Sequence, residues 1–457
     1  MLRRFVSRLA GAALVLVTCA AVPCAYADGP LPQAPQPRAA AGGDKSFTLD
    51  EAIAAALAND PVYRAAVATA GSARLDAAIS RAALLPNADG HGAYLYTQPN
   101  GLRNQAGQTG NQAAPRFIAN NAIREYAAQL LVNERLSVAN VADYRRSRAL
   151  AAQSSADLES ARRDLVVRVV AAYFGAIAAA DKAAIAQRAM TEAQDFVNLT
   201  EKLEAGREVA HADVVKARLE LQQRQREFED ATLAAEKARL DLGVLLFADP
   251  RTPYTLSAPD QQPLPDRAAV DAAAAQNNPD LRSALEAAKA ARAAVTSARA
   301  GYLPALTLNY TYGIDAPQFA VNGPDRVRNL GYSASAAVDF PLWDWLATRD
   351  RVRQAQLGAS AAQAALTATE RQLIAQLDEF YQEARVAAGQ VESLSTSVET
   401  ARESLRLTRL RYSAGEATAL EVVDAQSSLA QTEGALADGR LRAEVARANL
   451  QTLTGVL

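Results

Sequence analysis

The chain has 457 residues, half of them hydrophobic, only 6% aromatic and 21% charged, with a net charge of -2. Balanced charge excludes a broad basic surface for nucleic acid, and the apolar fraction excludes wholesale disorder. A mean hydropathy of -0.10 excludes a bundle of membrane helices.

Residues 1–27 read as a secretory signal peptide. Arg3, Arg4 and Arg8 lead an apolar run from Ala10 to Val22, and Ala25-Tyr26-Ala27 gives the small-x-small cleavage pattern. Removing it takes away three arginines and no acid, so the net charge falls to -5. Both cysteines, Cys19 and Cys24, go with it, which excludes disulfide and thiolate chemistry in the mature chain; neither has the preceding residues that lipoprotein processing prefers. No apolar run of about 18 residues is expected after position 27, so the mature chain is not expected to cross a membrane as a hydrophobic helix. Residues 28–46, with four prolines, read as a linker.

The rest is a duplication. Residues 57–96 and 275–314 align at a shift of 218: Asn59-Asp60-Pro61 faces Asn277-Asn278-Pro279, and Leu85-Pro86 faces Leu303-Pro304. Later the shift is about 208, with Leu221 facing Leu429 and Leu242 facing Leu450. The loop Pro99–Asn121 accounts for the difference. The first repeat spans 47–248, a proline-rich join 249–264, and the second repeat 265–457.

Each repeat predicts helix, strand, strand, long helix, return helix. The strands fall at about 88–97 and 122–132, then 305–315 and 330–342. The second pair shows the period of two most clearly: Leu306, Leu308, Tyr310, Tyr312 and Ile314 alternate with Thr307, Asn309, Thr311 and Gly313. A sustained heptad follows, from Leu373 through Leu377, Phe380, Ala384, Ala387, Val391, Leu394, Val398, Ala401 and Leu405 to Tyr412. The long helices run from Leu136 to Ala205 and from Ala347 to near Gly415, about 100 Å each. Both end at Ala-Gly, and the return helices cover 209–247 and 418–453. Four amphipathic strands of this length match membrane β-strands but are too few to close a barrel alone. Several copies must therefore pool them, and the helices extend that barrel as a tube.

This pattern resembles the TolC-type outer-membrane efflux protein family. The residues carrying the resemblance are Phe47-Thr48-Leu49-Asp50-Glu51-Ala52-Ile53, Phe340-Pro341-Leu342-Trp343-Asp344, and Tyr412-Ser413-Ala414-Gly415 followed by Leu420-Glu421-Val422-Val423-Asp424-Ala425. The resemblance covers the chain past about residue 46. It implies a mainly α fold with membrane β, in which a homotrimer forms a 12-stranded outer-membrane β-barrel on a periplasmic α-barrel. It also implies outer-membrane lipid contact, a periplasmic adaptor and an inner-membrane pump as partners. The expected function is a passive exit duct of a tripartite efflux system. The alternatives are the outer-membrane duct of a type I protein secretion system and a pore-less periplasmic coiled-coil scaffold. No enzyme motif, cofactor or metal set is apparent, and His91 and His211 have no ligand spacing.

The resemblance also assigns roles. Glu421 and Asp424 match acidic pore positions, three apart on one helix face, where a ring of carboxylates would favour cations. Tyr412 matches a gate tyrosine. Asp213 matches a gate acid, but counted from Gly206 it falls one residue late, which implies an insertion. Gly206 and Gly415 are the tips expected to dock the adaptor. The family arginine two residues after the second glycine is replaced by Ala417, leaving Arg411 or Arg207 to substitute. Tyr94, Tyr96, Tyr310, Tyr312, Tyr332, Trp343 and Trp345 are expected in interfacial aromatic girdles.

Overall fold

The computed structural model describes residues 46–96, 124–257, 264–323 and 328–454. The leader, both cysteines, almost all of the first linker and the loop Pro99–Asn121 lie outside the described residues.

A two-residue strand β1 (Ser46–Phe47) enters α1 (Leu49–Asn59), which opens on a capping box: Glu51 N–H donates to Thr48 Oγ1, and Thr48 N–H returns to Glu51 Oε2 at 3.0 Å. Helix α2 (Pro61–Ala82) begins one residue later because Asp60 caps it and Pro61 suits the first helical position. Strands β2 (Asn87–Tyr96) and β3 (Arg124–Leu136) follow, then α3 (Val138–Ala205) and α4 (His211–Leu246). After β4 (Thr255–Leu256), the second repeat gives α5 (Arg267–Asn277), α6 (Pro279–Ala300), β5 (Ala305–Ala316), β6 (Leu330–Asp339), α7 (Ala347–Ser413) and α8 (Ala419–Thr454). Asn278 and Pro279 start α6 as Asp60 and Pro61 start α2. The return helices α4 and α8 match end for end at a shift of 208, from His211 to Ala419 and from Leu246 to Thr454.

The four long strands form one antiparallel sheet in the order β2-β3-β5-β6. Its register places Tyr94 opposite Tyr126, Leu130 and Tyr332 each opposite Tyr312, and Val132 and Ala334 each opposite Tyr310. Opposed residues share a face, so one face is apolar throughout its middle. The other carries Asp89, His91, Gln129, Asn133, Asn309, Asp315, Ser333 and Ser335. Strand β3 runs on to Leu136, past the expected 132, because β5 continues beside it to Leu306. Strand β6 stops at Asp339, short of the expected 342, because Pro341 carries no N–H and the chain turns away there.

The helices form a layer four across. Near the sheet α3 lies between α2 and α6, with Ser80 on Ser147 at 2.8 Å and Ser160 on Asp280 at 2.5 Å. Farther along, α3 lies between α4 and α8, and α7 stands outside α6 and α8 throughout. Where the halves meet, Phe47, Leu165, Val169, Tyr173, Leu242 and Leu246 form the largest core, and the buried Tyr173 hydroxyl reaches the carbonyls of Phe47 and Ser257, at 2.8 and 2.5 Å. One expectation is corrected here. Helix α3 does contain an 18-residue stretch of mean hydropathy 1.5, long and apolar enough to cross a membrane by composition. As a central helix of the layer it buries two faces: Leu165 and Val169 on one, Arg163, Val166 and Val170 on the other.

Candidate functional site

The two helix tips make the same hydrogen-bonded turn from different residues. At the first, Glu208 N–H donates to Leu203 O (2.9 Å) and Arg207 N–H to Glu204 O (2.8 Å). At the second, Glu416 N–H donates to Arg411 O (2.8 Å) and Gly415 N–H to Tyr412 O (3.0 Å). Both are Schellman turns. The left-handed position is Gly415 (φ 76°) in one and Arg207 (φ 60°) in the other. Gly206, at φ -76°, is the right-handed residue before it and corresponds to Ala414. The expected one-residue insertion is therefore absent: Asp213 follows Arg207 by six residues, as Glu421 follows Gly415.

Glu421 has a local job that its spacing also spells. Thr418 N–H and Oγ1 donate to Glu421 Oε1 at 3.2 and 3.1 Å, and Glu421 N–H donates to Thr418 Oγ1 at 3.3 Å. This is the Thr-x-x-Glu box of Thr48–Glu51 repeated at the start of α8, a capping signal spelled in the sequence itself. Those hydrogen bonds, with Arg411 Nη1 3.7 Å away, hold the Glu421 carboxyl below its ordinary range. Arg411 is thus the tip cation that meets the acid, while Ala417 packs with the apolar residues around it. Asp424 is exposed one turn further along. Ala210 stands where Thr418 does and gives α4 no side-chain cap.

Tyr412 is 4% exposed. Its ring meets Phe196 edge-on at 5.2 Å, among Val197, Ala217, Ala419 and Val422, so it joins the two hairpins of one chain. Its hydroxyl is buried without a hydrogen-bond partner among the described residues, and burial, then the nearby Asp213 charge, raises its pKa. Tyr412 and Asp213 are thus brought together, whereas Glu421 pairs with Arg411 instead. Exposed His211 contacts Glu204 at 2.7 Å across the first turn.

Above the tip, a groove of about 810 Å³ lies between α3, α7 and α8. Ion pairs cross between hairpins there: Arg409 to Glu192 (3.2 Å), Arg188 to Glu433 (3.0 Å) and Lys182 to Asp438 (2.6 Å), with Arg402 also on Glu433.

At the sheet end, Tyr94, Tyr312 and Tyr332 lie on the apolar face and are exposed. They form part of a lateral ladder in which Tyr94 meets Tyr126 at 4.9 Å and Tyr310 stacks on Tyr332 at 6.1 Å. His91 points to the polar face. Trp343 and Trp345 pack on each other in the exposed elbow between β6 and α7, where Trp345 and Leu346 are left-handed and Asp344 accepts the Thr348 N–H at 2.7 Å.

Residues 272–456 match the family described as outer membrane efflux protein. The chain is 25% identical over 418 residues to the alkaline protease secretion protein AprF of Pseudomonas aeruginosa, covering 88% of this chain and 83% of that one. It is 26% identical over 407 residues to the pyoverdine export outer membrane protein OpmQ of the same organism, covering 86% and 82%. Its fold superposes on the CmeC outer membrane channel of Campylobacter jejuni with a TM-score of 0.74 at 17% identity, covering 89% and 85% of the two chains.

Proposed function

We propose, from the match of residues 272–456 to the outer membrane efflux protein family, that the chain is a member of it and that three copies build one exit duct. It is an outer-membrane protein that extends into the periplasm and conducts solutes outward. The observation that carries this reading is the sheet. Among the described residues its outer strands β2 and β6 have free edges, and nothing covers the apolar face of the sheet. Unpaired edges are not tolerated in lipid. In an alternating sheet β2 and β6 run in opposite directions, so β2 of one copy pairs antiparallel with β6 of the next. Three copies then give 12 strands with the tyrosine face toward lipid. A pore-less scaffold would leave that face in water.

Within this assembly Glu421 and Asp424 line the periplasmic mouth, favouring cations. Tyr412 and Asp213 sit at its gate, and the Gly206 and Gly415 turns meet a periplasmic adaptor that links the duct to an inner-membrane pump. The ion pairs between hairpins, Arg409–Glu192 above all, hold the mouth narrow. Conductance of the purified mature protein in a planar bilayer tests this. Discrete cation-selective openings are expected, and Glu421→Ala with Asp424→Ala should reduce the selectivity. Selectivity unchanged in that double variant would remove both residues from the pore.

The likeness to a protease secretion protein favours a second reading, a type I protein secretion duct. Purifying the duct with its partners separates the two: a proton-driven pump means solute efflux, an ATP-driven exporter means protein secretion.

A further inference from the structure

The duplication makes the layer repeat itself, and one contact in it has a missing twin. Arg163 on α3 is 6% exposed. Its Nη1 donates to Thr452 O of α8 at 2.8 Å and its Nη2 to Asn277 O of α5 at 3.2 Å. One guanidinium thus serves the C-terminal carbonyls of two helices, where a positive charge is favoured. It joins the first repeat to the second.

At the 208-residue shift, Arg163 corresponds to Arg371 on α7. The match is supported around it: Leu165 and Leu373 are both buried, and Tyr173 corresponds to Tyr381. The face that carries Arg163 does not match in burial. Val166 is 3% exposed, whereas its counterpart Ile374 is 70% exposed. Arg371 is exposed and has no hydrogen bond or ion pair among the described residues. Helix α3 has a further repeat beside it; α7 is the edge of the layer. The counterparts of the two acceptors are Asn59, ending α1, and Val244, near the end of α4 and 62% exposed on the opposite edge.

We propose that Arg371 of one copy bonds the main-chain oxygens of Asn59 and Val244 of the neighbouring copy, with Ile374 covering the same patch. The ring then closes between copies by the contact that joins repeats within one chain. This rests on the reading of the chain as a ring of copies.

Arg371→Cys combined with Val244→Cys, both at exposed positions of a mature chain expected to lack cysteine, tests it. A short bis-maleimide is applied to outer-membrane vesicles, with each single variant as control. A covalent ladder reaching three chains in the double variant alone is expected. Trimers by native mass without that ladder overturn the contact and leave the duct standing; monomers alone overturn both. As a second readout, Arg371→Glu should lower the temperature at which trimers dissociate on a semi-native gel, with Arg371→Lys in between. An unchanged temperature in Arg371→Glu counts against the contact.

Discussion

Arg207 and Gly415 occupy the same left-handed turn position, and only glycine does so without steric cost. Replacing Arg207 with Gly should therefore stabilise the first tip by about 1 kcal/mol, and Gly415→Ala should weaken the second by a similar amount. Hydrogen exchange at the ends of α3 and α7 would read both. Unchanged exchange at the first tip would mean that contacts of Arg207 itself offset its left-handed cost, and unchanged exchange at the second would mean that position 415 does not need glycine. Glu421 makes a different point. Its pKa is lowered chiefly by Thr418, so the stability it adds is present above its ordinary value and is lost as pH falls through the lower folded value. Thr418→Ala should move the Glu421 titration, followed by NMR, back up toward the ordinary range. If it stays low, Arg411 rather than the capping box holds it. The Thr-x-x-Glu spelling was legible in the sequence. The turn register was not, because the Ala-Gly pair at 205–206 imitates a glycine stop while the backbone puts its left-handed residue one place later.

Among whole elements, the heptads of α7 and the alternation in β5 and β6 were legible because α7 buries one face and each strand carries one apolar and one polar face, which leaves a single period in the residues. Helix α3 was harder to read. Burying two faces nearly fills its circumference with apolar side chains, so its stretch is apolar enough to pass as a membrane span. The first-repeat strands were also weaker in sequence, since Gly90 and Gly92 stand on the apolar face of β2 where the second repeat has larger residues. The return helix α8 carries the opposite electrostatic case to Glu421. Glu444 is 7% exposed beside Arg447, and burial raises its pKa. The folded state therefore holds that proton more tightly than the unfolded chain. Stability falls as pH rises from the ordinary carboxylate value through the raised folded one. Glu444→Gln should melt higher than the parent at pH 8 and lose that advantage in acid. A parent melting temperature that does not fall over this interval would show that Arg447 fully offsets the burial.

For the assembled molecule, the decisive property is that adjacent residues of one strand meet different solvents. Ala334 and Ser335 are neighbours in β6. Ala334 lies opposite Tyr310 on the apolar face and Ser335 opposite Asn309 on the polar one. In the pooled barrel we propose, the first faces lipid and the second faces water. A lysine facing lipid near mid-bilayer costs about 2–4 kcal/mol, and one facing the lumen changes selectivity instead. The cost falls on each copy of a closed ring, so Ala334→Lys should sharply reduce the amount of protein recovered as trimer in the outer membrane. Ser335→Lys should insert normally, and its openings in a planar bilayer should be less cation-selective than the parent's. The two substitutions add the same charge one residue apart, so general effects of charge on export or folding act on both alike. Equal loss of insertion in both would mean that the two faces do not meet different solvents. Normal insertion of Ala334→Lys with altered selectivity would turn the sheet inside out, placing the tyrosine ladder in the channel.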